Sequence, residues 1–280
     1  MNKEEGKFQT FDGLNLHYRV WSDNSFKNPV IVLHGLLEHS GRYEKIVNRV
    51  QLSQFSYFTF DLRGHGLSEG KRGHAEQVDV LVQDIQTFTE FVSSRWYPQK
   101  KVKFILLGHS FGGLLGIRFL IKNPNVFKAV ILSSPCFDIK SPVPGLDLFY
   151  GFLSHIIPNK VIHSLIRSQQ LTHDPEEWKQ HESDPLIHND VTLKLFGDMM
   201  SVMPQTLKEA QLINCPLLML MPDKDLVVDS QKAFDFYENV GSVDKSVHVF
   251  KKSYHELLRE KNYEEIYLII KDFLMKYINE

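Results

Sequence analysis

Cysteine is nearly absent. Cys136 and Cys215 are the only two in 280 residues. They lie far apart without metal-ligand spacing, which argues against a disulfide-stapled fold and reads as two free thiols in a reducing compartment. Long apolar runs are missing too. The most apolar stretch, around Leu212 to Met221, is broken by Asn214 and Pro216 and is too short to span a bilayer. The opening residues Met1-Asn2-Lys3-Glu4-Glu5-Gly6-Lys7 are acidic where a secretory signal needs an apolar core. A cytoplasmic protein is expected, with peripheral contact at a membrane surface left open. Neither charge dominates: 32 Lys and Arg face 34 Asp and Glu, a net charge of −2, which offers no basic footprint for nucleic acid. There is no internal repeat and no low-complexity segment.

What is present is a globular composition, 42% hydrophobic, 24% charged and 12% aromatic, in a chain long enough for a soft prior of about two domains. Short β-branched and aromatic runs alternate with helical periods, the mark of βαβ units and a mostly parallel sheet. Strands are predicted at Leu14–Trp21, Val30–Leu33, Tyr57–Phe60, Lys103–Leu107, Ala129–Ser133, Leu217–Met221 and Ser246–Phe250. Val30-Ile31-Val32-Leu33 and Phe104-Ile105-Leu106-Leu107 are apolar throughout, as strands covered on both faces should be. Val78, Leu81, Val82, Ile85, Phe88, Val92 and Trp96 recur at three- and four-residue steps and predict one amphipathic helix ending before Pro98. Further helices are predicted at about 42–52, 111–122, 229–239 and 262–278.

One region breaks this rhythm. From Phe137 to Gln205 no convincing strand is found, and prolines 142, 144, 158, 175, 185 and 204 punctuate short helical pieces. The region reads as a helical insertion. Its stripe of Leu148, Phe149, Phe152, Leu153, Ile156 and Ile157, continued by Leu165 and Ile166, is most simply packed core, since apolar stripes usually are.

The chemistry centres on Gly108-His109-Ser110-Phe111-Gly112-Gly113, placed between a hydrophobic strand and an apolar helix. This is the G-x-S-x-G pattern of a nucleophile on a sharp strand-to-helix turn, where a side chain at either glycine would clash. A serine hydroxyl is weakly nucleophilic by itself, so a base and a group orienting that base must follow. Asp223 and Asp225 lie after the strand at 217–221, and His255 lies after the strand ending at Phe250. His255 is preferred to His248, which falls within a strand, and Asp225 to Asp223, which sits less deep in its loop. The backbone N–H groups of Phe111 and Leu36 are the natural pair of oxyanion donors.

With these residues in place the chain resembles an α/β-hydrolase, and within that superfamily the monoacylglycerol lipase and lysophospholipase-like group. The resemblance is carried by His34-Gly35, Glu38-His39-Ser40-Gly41-Arg42-Tyr43, Asp61-Leu62-Arg63-Gly64-His65-Gly66-Leu67-Ser68-Glu69-Gly70, the Ser110 pentapeptide, Ser183-Asp184-Pro185-Leu186 and Tyr254-His255. It implies Ser110 as nucleophile, Asp225 as acid and His255 as base, with no cofactor and no metal. It also implies a small amphiphilic lipid ester as substrate, monoacylglycerol before lysophospholipid. Short-chain esterase, thioesterase, peptidase, acyltransferase and noncatalytic ligand-binding roles are the alternatives.

By the same resemblance Glu38 and Arg42 line the head-group end of the pocket, or else form an ion pair serving their loop. His181 stands near where relatives often carry a tyrosine, Leu258 where some carry a second histidine, and Pro222 where the acid loop usually has glycine. His34, His39, His65 and His109 read as hydrogen-bonded structural groups. The insertion becomes a cap, residues 137–205, interrupting one hydrolase core made of 1–136 and 206–280. Phe149 and Phe152 then line an acyl tunnel or dip into a membrane surface.

Overall fold

The computed structural model describes residues 1–140, 145–261 and 263–278; Pro142 and Pro144 of the predicted insertion, and residue 262 at the start of the last predicted helix, lie outside them. In chain order the strands are β1 (Asn2–Gln9), β2 (Asn15–Ser22), β3 (Pro29–Leu33), β4 (Ser56–Phe60), β5 (Phe104–His109), β6 (Phe127–Ser133), β7 (Val161–His163), β8 (Asp190–Thr192), β9 (Leu217–Pro222) and β10 (Lys245–Phe250). The helices are α1 (Glu44–Val50), α2 (Val78–Trp96), α3 (Phe111–Lys122), α4 (Leu146–Ile156), α5 (Pro175–Ser183), α6 (Leu193–Lys208), α7 (Ser230–Asn239) and α8 (Tyr263–Met275).

Among the described residues, eight strands form one sheet in the order β1-β2-β4-β3-β5-β6-β9-β10. Every pair from β4 to β10 is parallel, and β2 joins its neighbours antiparallel. Successive side chains of a strand point to opposite faces, so the apolar run of β5 feeds two cores at once. Leu106 packs with Phe88 of α2 and Leu115 of α3 on one face. Ile105 and Leu107 pack with Ile46 of α1 and Ile270 of α8 on the other. Each such buried aliphatic side chain contributes about 1.5–3 kcal/mol, and the doubly covered sheet is what holds the loops at its edge in register.

Three strands, β1, β7 and β8, escaped the sequence reading. β1 is an edge strand whose residues are mostly exposed; its charges suit an edge and erase the apolar alternation that marks a strand. Gly6 admits the Tyr18 ring there, for a Cβ would lie 2.7 Å from its hydroxyl. The insertion, expected to be free of strands, contains the antiparallel pair β7–β8, three residues each and too short to show a period. Its last helix, α6, runs through Pro204 and past residue 205, and buries Leu195, Met199 and Met203 in the main core. The expected boundary at 205 therefore falls inside a helix.

The apolar stripe on α4 is not packed core. Leu148, Phe149, Phe152 and Ile156 are 75%, 53%, 64% and 59% exposed. Ile157, Leu165 and Ile166 are exposed beside them, and only Leu153 is half-buried. Periodicity identified the face correctly, but nothing in a single helix says what lies opposite it. Among the described residues no helix is long and apolar enough to cross a membrane.

Candidate active site

Ser110 stands between the last residue of β5 and the first of α3 with φ +50° and ψ −118°, a strained setting for a residue with a side chain. The turn is tight enough to require its glycines. A Cβ on Gly112 would lie 2.3 Å from the Leu33 carbonyl oxygen, and one on Gly108 would lie 2.7 Å from Gly113 Cα. The Ser110 N–H donates to the Ser133 carbonyl at 3.0 Å, which ties the turn to β6.

β9 and β10 deliver the partners. Asp225 lies in the loop after β9, where one carboxylate oxygen accepts the Val227 and Val228 N–H groups at 2.8 and 2.9 Å. The other oxygen meets His255 Nδ1 at 2.8 Å. His255 Nε2 stands 2.9 Å from Ser110 Oγ. Because the carboxylate must accept, Nδ1 carries the proton and Nε2 is free to take one from the serine. All three side chains are buried. Burial by itself would lower the His255 pKa, but Asp225, with Glu256 and Glu38 adding to it, outweighs burial and holds the imidazole above its ordinary 6.5. Burial works against the charged form of Asp225 too, and is outweighed by His255 and the two N–H groups, which hold the carboxyl low.

Leu36 and Phe111 both line the cavity over Ser110. Phe111 is the first residue of α3, so its N–H has no partner one turn back and lies at the positive end of the helix. The cavity, about 360 Å³, is walled by Leu146 and Tyr150 of α4, Ile162, Leu165 and Ile166, and Phe196 and Met199 of α6. Its wall is therefore largely built by residues between 137 and 205. Phe149 and Phe152 are not part of it; they face outward from α4.

Glu38, Arg42 and His181 do line the cavity, with Glu38 and Arg42 in close contact. Arg42 Nη1 donates to Glu38 at 2.7 Å and, with Nη2, to both oxygens of Glu256 at 2.7 and 2.9 Å. His181 on α5 presents a buried Nδ1 without a partner, and burial lowers its pKa. Among the described residues the Asp223 carboxylate accepts only the Ser253 N–H, at 3.2 Å. His248, expected to pack within its strand, is exposed. His34, His39, His65 and His109 each hydrogen-bond a loop or strand group, and no metal-holding cluster occurs among the described residues. The Ser183-Asp184-Pro185-Leu186 motif has a mechanical role. Asp184 accepts from His39 Nε2 at 2.8 Å, and His188 N–H reaches the Leu37 carbonyl at 3.3 Å, pinning the segment after α5 to the loop after β3.

Glu256 and Arg259 were given no role from sequence, although Glu256 directly follows the base; their signal was two opposite charges flanking Leu257 and Leu258, a pair buried in the second core. Cys136 lies in the cavity wall as a free thiol whose pKa burial pushes up.

A family model described as serine aminopeptidase, S33, matches residues 24–262. The monoglyceride lipase of Rattus norvegicus is 30% identical over 253 residues, 89% of this chain and 82% of the rat protein. The monoacylglycerol lipase of Mycolicibacterium smegmatis is 28% identical over 265 residues, 92% of each chain. The crystal structure of Paleococcus ferrophilus monoacylglycerol lipase superposes with a TM-score of 0.82 at 29% identity, covering 99% of both chains. Two other relatives are longer, and the chain spans 44% and 30% of their lengths. The chain thus belongs to the serine aminopeptidase S33 family and is an α/β-hydrolase of the monoacylglycerol lipase-like kind.

Proposed function

We propose that this protein hydrolyses single-chain lipid esters of small uncharged alcohols, monoacylglycerol foremost, through an acyl-enzyme on Ser110. The observation that carries this reading is the hydrogen-bonded Ser110–His255–Asp225 row beneath an apolar cavity. Ser110 Oγ attacks the ester carbonyl while His255 Nε2 takes its proton, and Asp225 stabilises the imidazolium. The Leu36 and Phe111 N–H groups hold the oxyanion. His255 then gives its proton to the departing alcohol, and a water activated by the same imidazole releases the fatty acid. Residues 137–205 act as a cap whose inner wall receives the acyl chain, and His181 offers its free ring nitrogen to a head-group hydroxyl.

The cavity's charges favour an uncharged alcohol. Its only lining carboxylates among the described residues, Glu38 and Glu256, are both engaged by Arg42 and leave no counter-charge for the amino terminus of a peptide. Its lining cations are equally committed, Arg42 to those carboxylates and Lys140 to the Asp225 carbonyl at 2.6 Å, which disfavours an anionic phosphate head. The test is a panel of monoacylglycerols, lysophospholipids, simple esters and aminoacyl amides with the purified protein, together with fluorophosphonate labelling. Labelling at Ser110 is expected, with kcat/KM for monoacylglycerol at least about tenfold above lysophospholipid. Equal rates on the two lipids would overturn the head-group reading, and an unlabelled serine the whole of it.

The exposed face of α4 is proposed to rest on lipid surfaces. Phe149→Asp with Phe152→Asp is expected to reduce sedimentation with vesicles and hydrolysis of dispersed long-chain substrate by about tenfold or more, as two buried aromatic contacts are lost. A soluble acetate ester should be hydrolysed at the original rate. Equal loss on both substrates would contradict the surface role.

A further inference from the structure

The catalytic base and the oxyanion loop approach Ser110 from opposite ends of the chain, 214 positions apart when measured from Arg42 to Glu256, yet one side chain connects them. Glu256 directly follows His255. Its carboxylate receives two N–H groups of Arg42, at 2.7 and 2.9 Å, the fork-on-fork geometry only arginine offers. The same guanidinium donates to Glu38 Oε2 at 2.7 Å. Glu38 Oε1 in turn accepts the Gly35 N–H at 2.6 Å and the Tyr43 hydroxyl at 2.9 Å. Gly35 immediately precedes Leu36, the oxyanion donor. Both carboxylate oxygens of Glu38 are engaged inside this bridge.

Arg259 braces it from behind, donating to the Arg42 carbonyl, lying 3.5 Å from Glu256 and 3.1 Å from Glu177 of the cap helix α5. The Arg42, Glu38, Glu256 and Arg259 side chains are all more than nine-tenths buried. Arg42 forms part of two walls, one facing the catalytic cavity and one facing an outer groove of about 560 Å³.

We infer that Arg42 is a positioning residue: it fixes the distance between the base loop and the oxyanion loop, so that His255 and the Leu36 N–H present themselves to Ser110 as one unit. The inference deepens the serine-hydrolase reading and rests on it. Both carboxylates of the bridge are turned toward the guanidinium, and the second oxygen of Glu38 is taken by the Gly35 N–H and the Tyr43 hydroxyl. The bridge also reaches the base electrically. The charged groups around His255 are Asp225, Glu256 and Glu38, with Arg42 and the neutral His109 ring, whose centroid is 5.1 Å from that of His255. After burial, which lowers the His255 pKa, and Asp225, which raises it, Glu256 and Glu38 add to the rise.

Arg42→Lys keeps the charge and loses the fork. If Arg42 positions, kcat falls about ten- to a hundredfold, and by the same factor for monoacylglycerol and for p-nitrophenyl acetate, which has no glycerol to bind; KM is unchanged and fluorophosphonate labelling of Ser110 slows in parallel. If Arg42 instead binds the head group, KM rises for monoacylglycerol alone while acetate hydrolysis and labelling keep their wild-type rates, and the inference is overturned. Glu256→Gln keeps an acceptor on Arg42 but removes one negative charge beside the base. It should slow both substrates and move the acid limb of kcat/KM to lower pH; an unmoved limb with full acetate turnover counts against the bridge. Should Arg42→Lys fail to fold, the Glu256→Gln result decides. A wild-type protein that neither labels nor hydrolyses either ester would fail the serine-hydrolase reading itself, an outcome distinct from a fully active wild type with an equally active Arg42→Lys.

Discussion

Ser110→Ala is expected to lower ester turnover by about 10⁶-fold, the order of loss seen when the nucleophile of a serine hydrolase is removed, with the melting temperature within a few degrees of wild type. The two halves of this expectation come from different parts of the structure. The hydroxyl is the only atom lost, and its hydrogen bond is to His255, so about 1 kcal/mol of stability is at stake. The turn that presents it is held by the backbone bond to Ser133 and by the glycines, none of which the substitution touches. Residual activity of a few per cent in a homogeneous sample, or fluorophosphonate labelling at another residue, would place the nucleophile elsewhere. Ser110→Gly adds a second check. It relieves the positive φ, so it should be as inactive as the alanine variant without being less stable than it.

Asp225→Asn is expected to cost about 10⁴-fold in kcat, the loss found for the equivalent change in a serine protease. An amide at 2.8 Å from Nδ1 can donate its N–H to the ring, which leaves the proton on Nε2, the nitrogen that must accept from Ser110. The pH profile carries the same argument with a definite sign. His255 works unprotonated and its pKa lies above 6.5, raised by Asp225 against the opposing effect of burial. Wild-type kcat/KM should therefore fall as pH drops through a midpoint above 6.5. Without the Asp225 charge, burial is less opposed, and the residual activity of the variant should fall at a lower midpoint. Stability follows the opposite course: protonated His255 stabilises the fold below its unfolded pKa, and that contribution is lost as pH rises through the folded value. Asp223→Asn, two residues away on the same loop and, among the described residues, bonded through its carboxylate only to the Ser253 N–H, should leave turnover within about two- to threefold. An Asp225→Asn profile that keeps the wild-type midpoint would remove Asp225 from its role.

The features that could be read from the residues were those written in local chemistry. Helix α2 spans Val78–Trp96 because its apolar residues return every three or four positions, and that period needs no partner to be visible. The turn at Ser110 could be named because Gly108 and Gly112 bracket it at fixed offsets. β1 escaped because an edge strand can stay charged. The α4 stripe was open between packed core, acyl tunnel and membrane contact because periodicity reports that a helix has an apolar face without reporting what covers it.

The residues alone determined the doubly wound α/β core, the strand–turn–helix carrying Ser110 and the candidates Asp225 and His255, since each depends on neighbours a few positions away. Loop position and resemblance already favoured Asp225 over Asp223; tertiary structure alone set its carboxylate against His255 Nδ1, turned Phe149 and Phe152 outward, and paired Arg42 with Glu256. Those outcomes depend on contacts across 30 to 214 positions, set by the order in which β3, β5, β9 and β10 assemble. Charge and hydropathy along the chain do not encode that order pair by pair; the sheet decides it when burial forces each buried charge to find the one partner within reach.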